Sequence, residues 1–124
     1  MSNQDPTPIV EEDPILGLSD EDRAALKAKY EGQKLYAVEL PDNGTSIVFR
    51  KPTEAEYSPM INGKLDKAAD RKTALTQLAM KVVVSPAKDA LVALFSEYPG
   101  LSTRIASQAM SVASGEGAAN AKKL

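Results

Sequence analysis

The chain has 124 residues, of which 43% are hydrophobic and 26% are charged, so it is long enough for one domain with its own core. It contains no Cys and no His, which excludes disulfides, thiolate metal sites, Ser-His-Asp or Cys-His catalysis and any imidazole base. No run of about 18 apolar residues occurs, and no signal peptide opens the chain. We therefore expect a cytoplasmic protein that is not an enzyme and needs no cofactor.

Charge is distributed unevenly along the chain. Residues 1–22 carry seven acids and no Lys or Arg, whereas residues 23–124 carry ten acids and all 15 bases. Three Pro residues and no hydrophobic periodicity occur in the first 18 positions. We predict a disordered acidic leader over residues 1–18, because such a segment buries too little apolar surface to fold.

A short helix and a β-hairpin are predicted next. Ser19 precedes three acids, which is typical of a helix N-cap, and the helix is expected over residues 20–31 with its end at Gly32. Alternating side chains on both sides of Asn43-Gly44 predict a hairpin over residues 34–50. An isolated hairpin is only marginally stable, so helices or another chain must cover it.

Four further helices are predicted, over residues 53–61, 65–84, 86–98 and 101–114. Thr53 and Glu56 form a capping box, and Ser85-Pro86 reads as an N-cap followed by Pro in the first helical position. Residues 116–124 are predicted to be a flexible tail. The expected fold class is α+β and mainly α-helical, with an N-terminal β-hairpin followed by a cluster of short helices in a single domain over residues 19–115.

Motifs that suggest catalysis or ligand binding fail on their spacing. Gly63-Lys64 would need a glycine where Ser58 stands and a Ser or Thr where Leu65 stands to be a phosphate-binding loop. Asp42-Asn43-Gly44 lacks the bidentate Glu of a calcium loop, so the turn interpretation is favoured. No catalytic residue, cofactor-binding residue or metal ligand is therefore predicted.

A small basic patch leaves nucleic-acid binding as an alternative. It comprises Lys64, Lys67, Arg71 and Lys72. No aromatic residue interleaves with these bases to stack on nucleotides, and Asp66 and Asp70 dilute their charge. Nucleic acid is therefore not the favoured partner.

Apolar residues recur every three or four positions in the last two predicted helices, which places them on one face of each helix. These helices and the hairpin offer more apolar surface than a domain of this size readily hides. Protein binding or a homo-oligomer interface is therefore predicted, with ordinary core packing as the alternative. The candidate protein-binding residues are Val83, Leu91, Leu94, Phe95, Tyr98, Leu101 and Ile105.

Two groups of residues resemble the tail assembly chaperones of tailed phages, over about residues 34–115. The first group is Val48-Phe49-Arg50-Lys51-Pro52-Thr53, continued by Glu56-Tyr57. The second group is Val83-Val84-Ser85-Pro86, Leu91, Leu94-Phe95, Tyr98-Pro99-Gly100-Leu101, Ile105 and Ala113-Ser114-Gly115.

This resemblance implies an ATP-independent holding function. Members of the family bind the long helical tape measure protein in the host cell cytoplasm, keep it soluble, and help tail tube subunits polymerise around it. They are absent from the mature virion. The resemblance implies the tape measure protein and the tail tube protein as partners, no cofactor and no membrane, with homo-oligomers left open. A minor structural virion protein and a small nucleic-acid-binding regulator are the alternatives.

Overall fold

A computed structural model describes residues 14–61 and 68–124 of the chain. In these ranges it contains five helices and one four-stranded antiparallel sheet, which confirms the mixed α+β class. The helices are α1 (Asp20–Lys29), α2 (Glu54–Ile61), α3 (Ala68–Val82), α4 (Lys88–Glu97) and α5 (Leu101–Ala113). The strands are β1 (Leu35–Leu40), β2 (Thr45–Arg50), β3 (Val83–Ser85) and β4 (Lys122–Lys123).

The hairpin of β1 and β2 forms the centre of the sheet, whose strand order is β3-β2-β1-β4. Its register runs from the pair Leu35 and Arg50 to the pair Leu40 and Thr45. Gly44 in the connecting turn has a φ of +69°, a conformation that glycine adopts without a steric penalty. Successive side chains of a strand point to opposite faces, and both faces of this hairpin are buried.

The inner face of the sheet packs against the helices and forms the main core. Tyr36 and Phe49 lie opposite each other in the hairpin, and their rings stack with centroids 5.6 Å apart. α5 is the central helix of this layer, since seven of its 13 residues are buried. The core residues from the helices are Leu78, Ala79, Val82, Leu91, Leu94, Leu101, Ile105, Ala106, Ala109 and Val112.

The outer face of the sheet carries a second, smaller apolar cluster. Leu35, Ala37 and Val48 form its base, and Ile15 and Leu124 are buried against them. Parts of α1 and the residues on either side of it pack on this cluster. The hairpin is therefore covered by a thick helical layer on one face and by the two ends of the described chain on the other.

Two predicted helix starts are confirmed and one is wrong. Ser19 Oγ accepts the Asp22 N–H at 3.0 Å, and Thr53 and Glu56 exchange the two hydrogen bonds of a capping box. Ser85 does not cap a helix, because it is the last residue of β3 and pairs with β2. The N-cap of α4 is Ala87, so this helix begins two residues later than predicted.

The prediction of a disordered leader and a flexible tail is wrong for those of their residues that the structure shows to be packed. Ile15, in the predicted leader, is 4% exposed and lies in the outer cluster. Lys122–Lys123 pair with β1, and Leu124 is 7% exposed, so the last three residues are not a flexible tail. Residues 1–13 of the leader and residues 62–67, with Lys64 and Lys67 of the basic patch, lie outside the described residues.

Candidate functional site

An ion pair joins the end of β2 to the start of α2. Arg50 Nη1 and Nη2 donate hydrogen bonds of 2.7 and 2.8 Å to the two carboxylate oxygens of Glu56. Arg50 Nη2 also donates to the carbonyl oxygen of Lys81 in the last turn of α3. The two paired side chains are 19% and 16% exposed. One guanidinium group therefore holds α2 against both β2 and α3, with the planar geometry that favours Arg at such positions.

The same contacts keep Glu56 ionised. The hydrogen bonds from Arg50 lower the pKa of the Glu56 carboxyl to about 2, with a smaller contribution from the Thr53 N–H, although partial burial acts in the opposite direction. The pair also raises the pKa of Arg50. Because Glu56 stays charged, it fixes the first turn of α2 at neutral pH and thereby orients the next residue, Tyr57.

Tyr57 lines a groove of about 410 Å³ between α2, α3 and α5, here called the α2–α3–α5 groove. Leu75 of α3 and Met110 of α5 complete its apolar part, and all three side chains are half-buried. Hydroxyl groups line the α5 side, and Glu116 lies at the C-terminal end of that helix. The hydroxyl-bearing residues are Thr103, Ser107, Ser111 and Ser114.

The hydroxyl-bearing residues follow one face of α5 at spacings of four, four and three positions. From Thr103 to Ser114 the groove therefore runs about 16 Å along the helix, or three turns. Small side chains let a partner backbone approach closely, and hydroxyl groups both donate and accept hydrogen bonds. The groove therefore offers a partner a short apolar part beside a longer polar strip.

The seven residues predicted to bind a protein lie elsewhere. Four of them are buried in the main core, where the folded chain gives a partner no access to their side chains. These four are Leu91, Leu94, Leu101 and Ile105. The other three, Val83, Phe95 and Tyr98, are half-buried and pack against the same core. The structure therefore brings all seven together in one cluster, but none of them lines the groove.

The sequence contained a partial signal for the groove. The Ser and Thr spacing on α5 marks the face opposite the apolar stripe, and Tyr57 follows the capping box directly. Neither pattern shows that α2 and α3 lie beside that face, because this depends on contacts between distant segments.

Two other kinds of site are absent from residues 14–61 and 68–124. None of the helices in these ranges combines the length and the hydropathy that a bilayer-spanning helix needs. The same part of the chain holds no group of three or more acidic side chains placed to bind a metal ion.

Comparison with known proteins identifies the family. No curated protein and no solved structure matches the chain. A family model described as "Domain of unknown function (DUF6848)" matches residues 26–122, which include the hairpin, the groove and the main core. Because the match covers most of the sequence, the chain belongs to the DUF6848 family.

Proposed function

We propose that the chain is an ATP-independent tail assembly chaperone of a tailed bacteriophage, which binds the tape measure protein and assists polymerisation of the tail tube. The α2–α3–α5 groove is the observation that carries this proposal. A tape measure protein is long and helical, and the groove has the length and the apolar strip that suit one face of a helix.

The first group of residues that resembles the phage chaperones positions one side of this groove. Arg50, Thr53 and Glu56 fix the start of α2 through the ion pair and the capping box. Tyr57 follows them and lines the groove. The part of the sequence that resembles the chaperones is thus also the part that positions an aromatic side chain for contact with a partner.

Holding without ATP needs contacts that are weak individually and repeated. The apolar part of the groove consists of three side chains, so each chaperone covers only a short length of a partner helix. A long helical protein offers many such lengths, and tube subunits can displace the chaperones one at a time. Met110 adapts its shape easily, which suits binding to stretches of different sequence.

The test is co-expression with the product of the longest reading frame next to the gene for this chain, which we expect to be the tape measure protein. We expect the wild-type chain to raise the soluble fraction of the tape measure protein, and a Tyr57→Ala and Met110→Ser double variant to lower that effect about fivefold. Val92→Ser is the matched control, since Val92 is 52% exposed outside the groove. Circular dichroism establishes that all variants remain folded.

Two results would count against the proposal. If the tape measure protein is equally soluble without the chain, the chaperone function is excluded. Abundant copies of the chain in purified virions favour the alternative of a minor structural virion protein. A double variant that holds the tape measure protein as well as the wild type does would instead exclude the groove as the contact.

A further inference from the structure

The charge of the α2–α3–α5 groove is concentrated at one end. Of the described residues that line the groove, Glu116 alone carries a formal charge, and the others are apolar, aromatic or hydroxyl-bearing. Glu116 is exposed and follows the last turn of α5. The groove therefore offers a partner an acid at one end and an uncharged surface along the rest of its length.

The C-terminal cap of α5 fixes the position of Glu116. The Glu116 N–H donates to the Ser111 carbonyl oxygen at 3.0 Å. The Gly115 N–H donates to the Val112 carbonyl oxygen at 3.1 Å, and the φ of Gly115 is +88°, so the two bonds form a Schellman motif. Glu116 Oε1 also accepts a hydrogen bond of 3.0 Å from Ser114 Oγ. Both the backbone and the side chain of Glu116 are thus held at the end of the groove.

The helix adds to the negative charge at this end. The C-terminal end of a helix carries a partial negative charge, which bases stabilise and acids do not. The last turn of α5 contains no base. Within residues 14–61 and 68–124 the carboxylate of Glu116 is bonded to Ser114 and forms no ion pair. No base among those residues therefore neutralises the acid, and the negative potential at this end of the groove favours a cation.

We propose that Glu116 selects the partner by charge, and that the helix bound in the groove carries a Lys or Arg that pairs with Glu116. This inference rests on the proposed function, because it takes the occupant to be a helix of the tape measure protein. The long aliphatic stem of Lys or Arg also covers apolar surface, which suits a groove that is partly apolar beside its acid.

The geometry of the groove also gives the spacing of the partner residues. Met110, in the apolar part, precedes Ser114 by four positions. The end of α5 that holds Glu116 therefore lies about 6 Å, or one helical turn, beyond Met110. The base of the partner helix is expected about three or four positions from the apolar residue that contacts Met110, since residues at this spacing share one face of a helix.

Charge reversal in the full chain tests the pairing. The probe is the tape measure protein of the co-expression experiment, carrying an affinity tag, and the measurement is the amount of the chain that co-purifies with it. At about 50 mM NaCl we expect Glu116→Lys to lower this amount about tenfold and Glu116→Gln about threefold. At about 500 mM NaCl salt screens the pair, so the variants should differ from the wild type by less than about twofold.

Glu97→Lys is the matched control. Glu97 is the last residue of α4 and is exposed outside the groove, so the control makes the same change of charge at the same end of another helix. It should co-purify as the wild type does. Because a base at the C-terminal end of a helix is favourable, neither Lys variant should lower the urea midpoint of unfolding.

The possible outcomes separate this inference from the proposed function. If the wild type co-purifies with the tape measure protein and Glu116→Lys does so equally well, the charge selection is overturned while the chaperone function stands. If the wild type does not co-purify, the proposed function fails and this inference fails with it. An effect of Glu116→Lys that is the same at both salt concentrations would overturn the ion pair.

Two results would show that the chain itself provides the cation. A lower urea midpoint for Glu116→Lys, with no change for Glu97→Lys, would mean that a base of the same chain pairs with Glu116. Loss of a homo-oligomer in gel filtration of Glu116→Lys would make a second copy the occupant of the groove. Either result would overturn the proposal.

Discussion

Glu56→Gln tests whether the ion pair with Arg50 stabilises the start of α2. Gln has nearly the same size as Glu and also serves as the third residue of a capping box, so the hydrogen bond to Thr53 N–H is retained. The substitution therefore removes mainly the negative charge that faces the guanidinium group. The neighbouring Glu54 is the matched control, because it is exposed in the same helical turn.

The expected loss follows from the pKa of Glu56, which the folded chain lowers from 4.5 to about 2. At about 1.4 kcal/mol for each pKa unit, this difference sets an upper bound of roughly 3 kcal/mol on the electrostatic stabilisation. Solvent screens a pair whose side chains are 19% and 16% exposed. We therefore expect Glu56→Gln to lower the free energy of unfolding by about 2 kcal/mol at pH 7.

The pH dependence gives the sharper result. A carboxyl with a lowered pKa in the folded state stabilises the fold fully above its unfolded pKa of about 4.5, and this stabilisation is lost as the pH falls towards 2. Urea unfolding followed by circular dichroism between pH 7 and pH 3 should show the wild type and Glu56→Gln converging. Glu54→Gln should change the free energy of unfolding far less. A difference for Glu56→Gln that stays constant down to pH 3, or equal losses in both variants, would refute the electrostatic explanation.

Two further variants test the packing at the ends of the described chain, both by urea unfolding. Gly17→Ala should lower the free energy of unfolding by about 3 kcal/mol, because the φ of Gly17 is +70° and the new Cβ would lie 2.6 Å from the Gly44 carbonyl oxygen. Gly32→Ala is the control: the φ of Gly32 is +84°, but the space around it is open, so the loss should be about 1 kcal/mol. Similar losses in the two variants would contradict the close approach. Leu124→Ala should cost about 2 kcal/mol because this side chain is 7% exposed, whereas Leu16→Ala, at 36% exposed, should change the free energy of unfolding by less than about 0.5 kcal/mol. No loss for Leu124→Ala would mean that the pairing of β4 with β1 does not hold the following residue, Leu124, in the outer cluster.

Local signals predicted much of the fold. The hairpin, α5 and the Thr53 capping box could be predicted from the sequence because each depends on residues within one short segment. β3 and β4 could not be predicted in this way. The helix predicted over residues 65–84 includes Val83 and Val84, but these residues form part of β3 because β2 offers an edge to pair with. Lys122–Lys123 form a strand too short for any period to be visible, and their position depends on β1.

The candidate site was harder to predict from the sequence than the fold. Apolar residues at helical spacing identify the buried face of a helix, but they do not show whether a core or a partner covers that face. Leu91 and Ile105 are core residues because α4 and α5 pack on the hairpin. The groove lies on the opposite, hydroxyl-bearing face of α5, and it exists only because α2 and α3 flank that face.

The burial of both faces of the hairpin bears on how its strands find their alignment. In a sheet with one face in water, a slip by one residue would expose every apolar side chain, so hydrophobicity alone fixes the register. Here a slipped strand would still bury apolar residues on both sides. The alignment must therefore depend on the Asn43-Gly44 turn and on side-chain volume, since only the inner face has room for the stacked rings of Tyr36 and Phe49 while Ala37 occupies the outer face. The turn thus selects one alignment among several that would bury similar amounts of apolar surface.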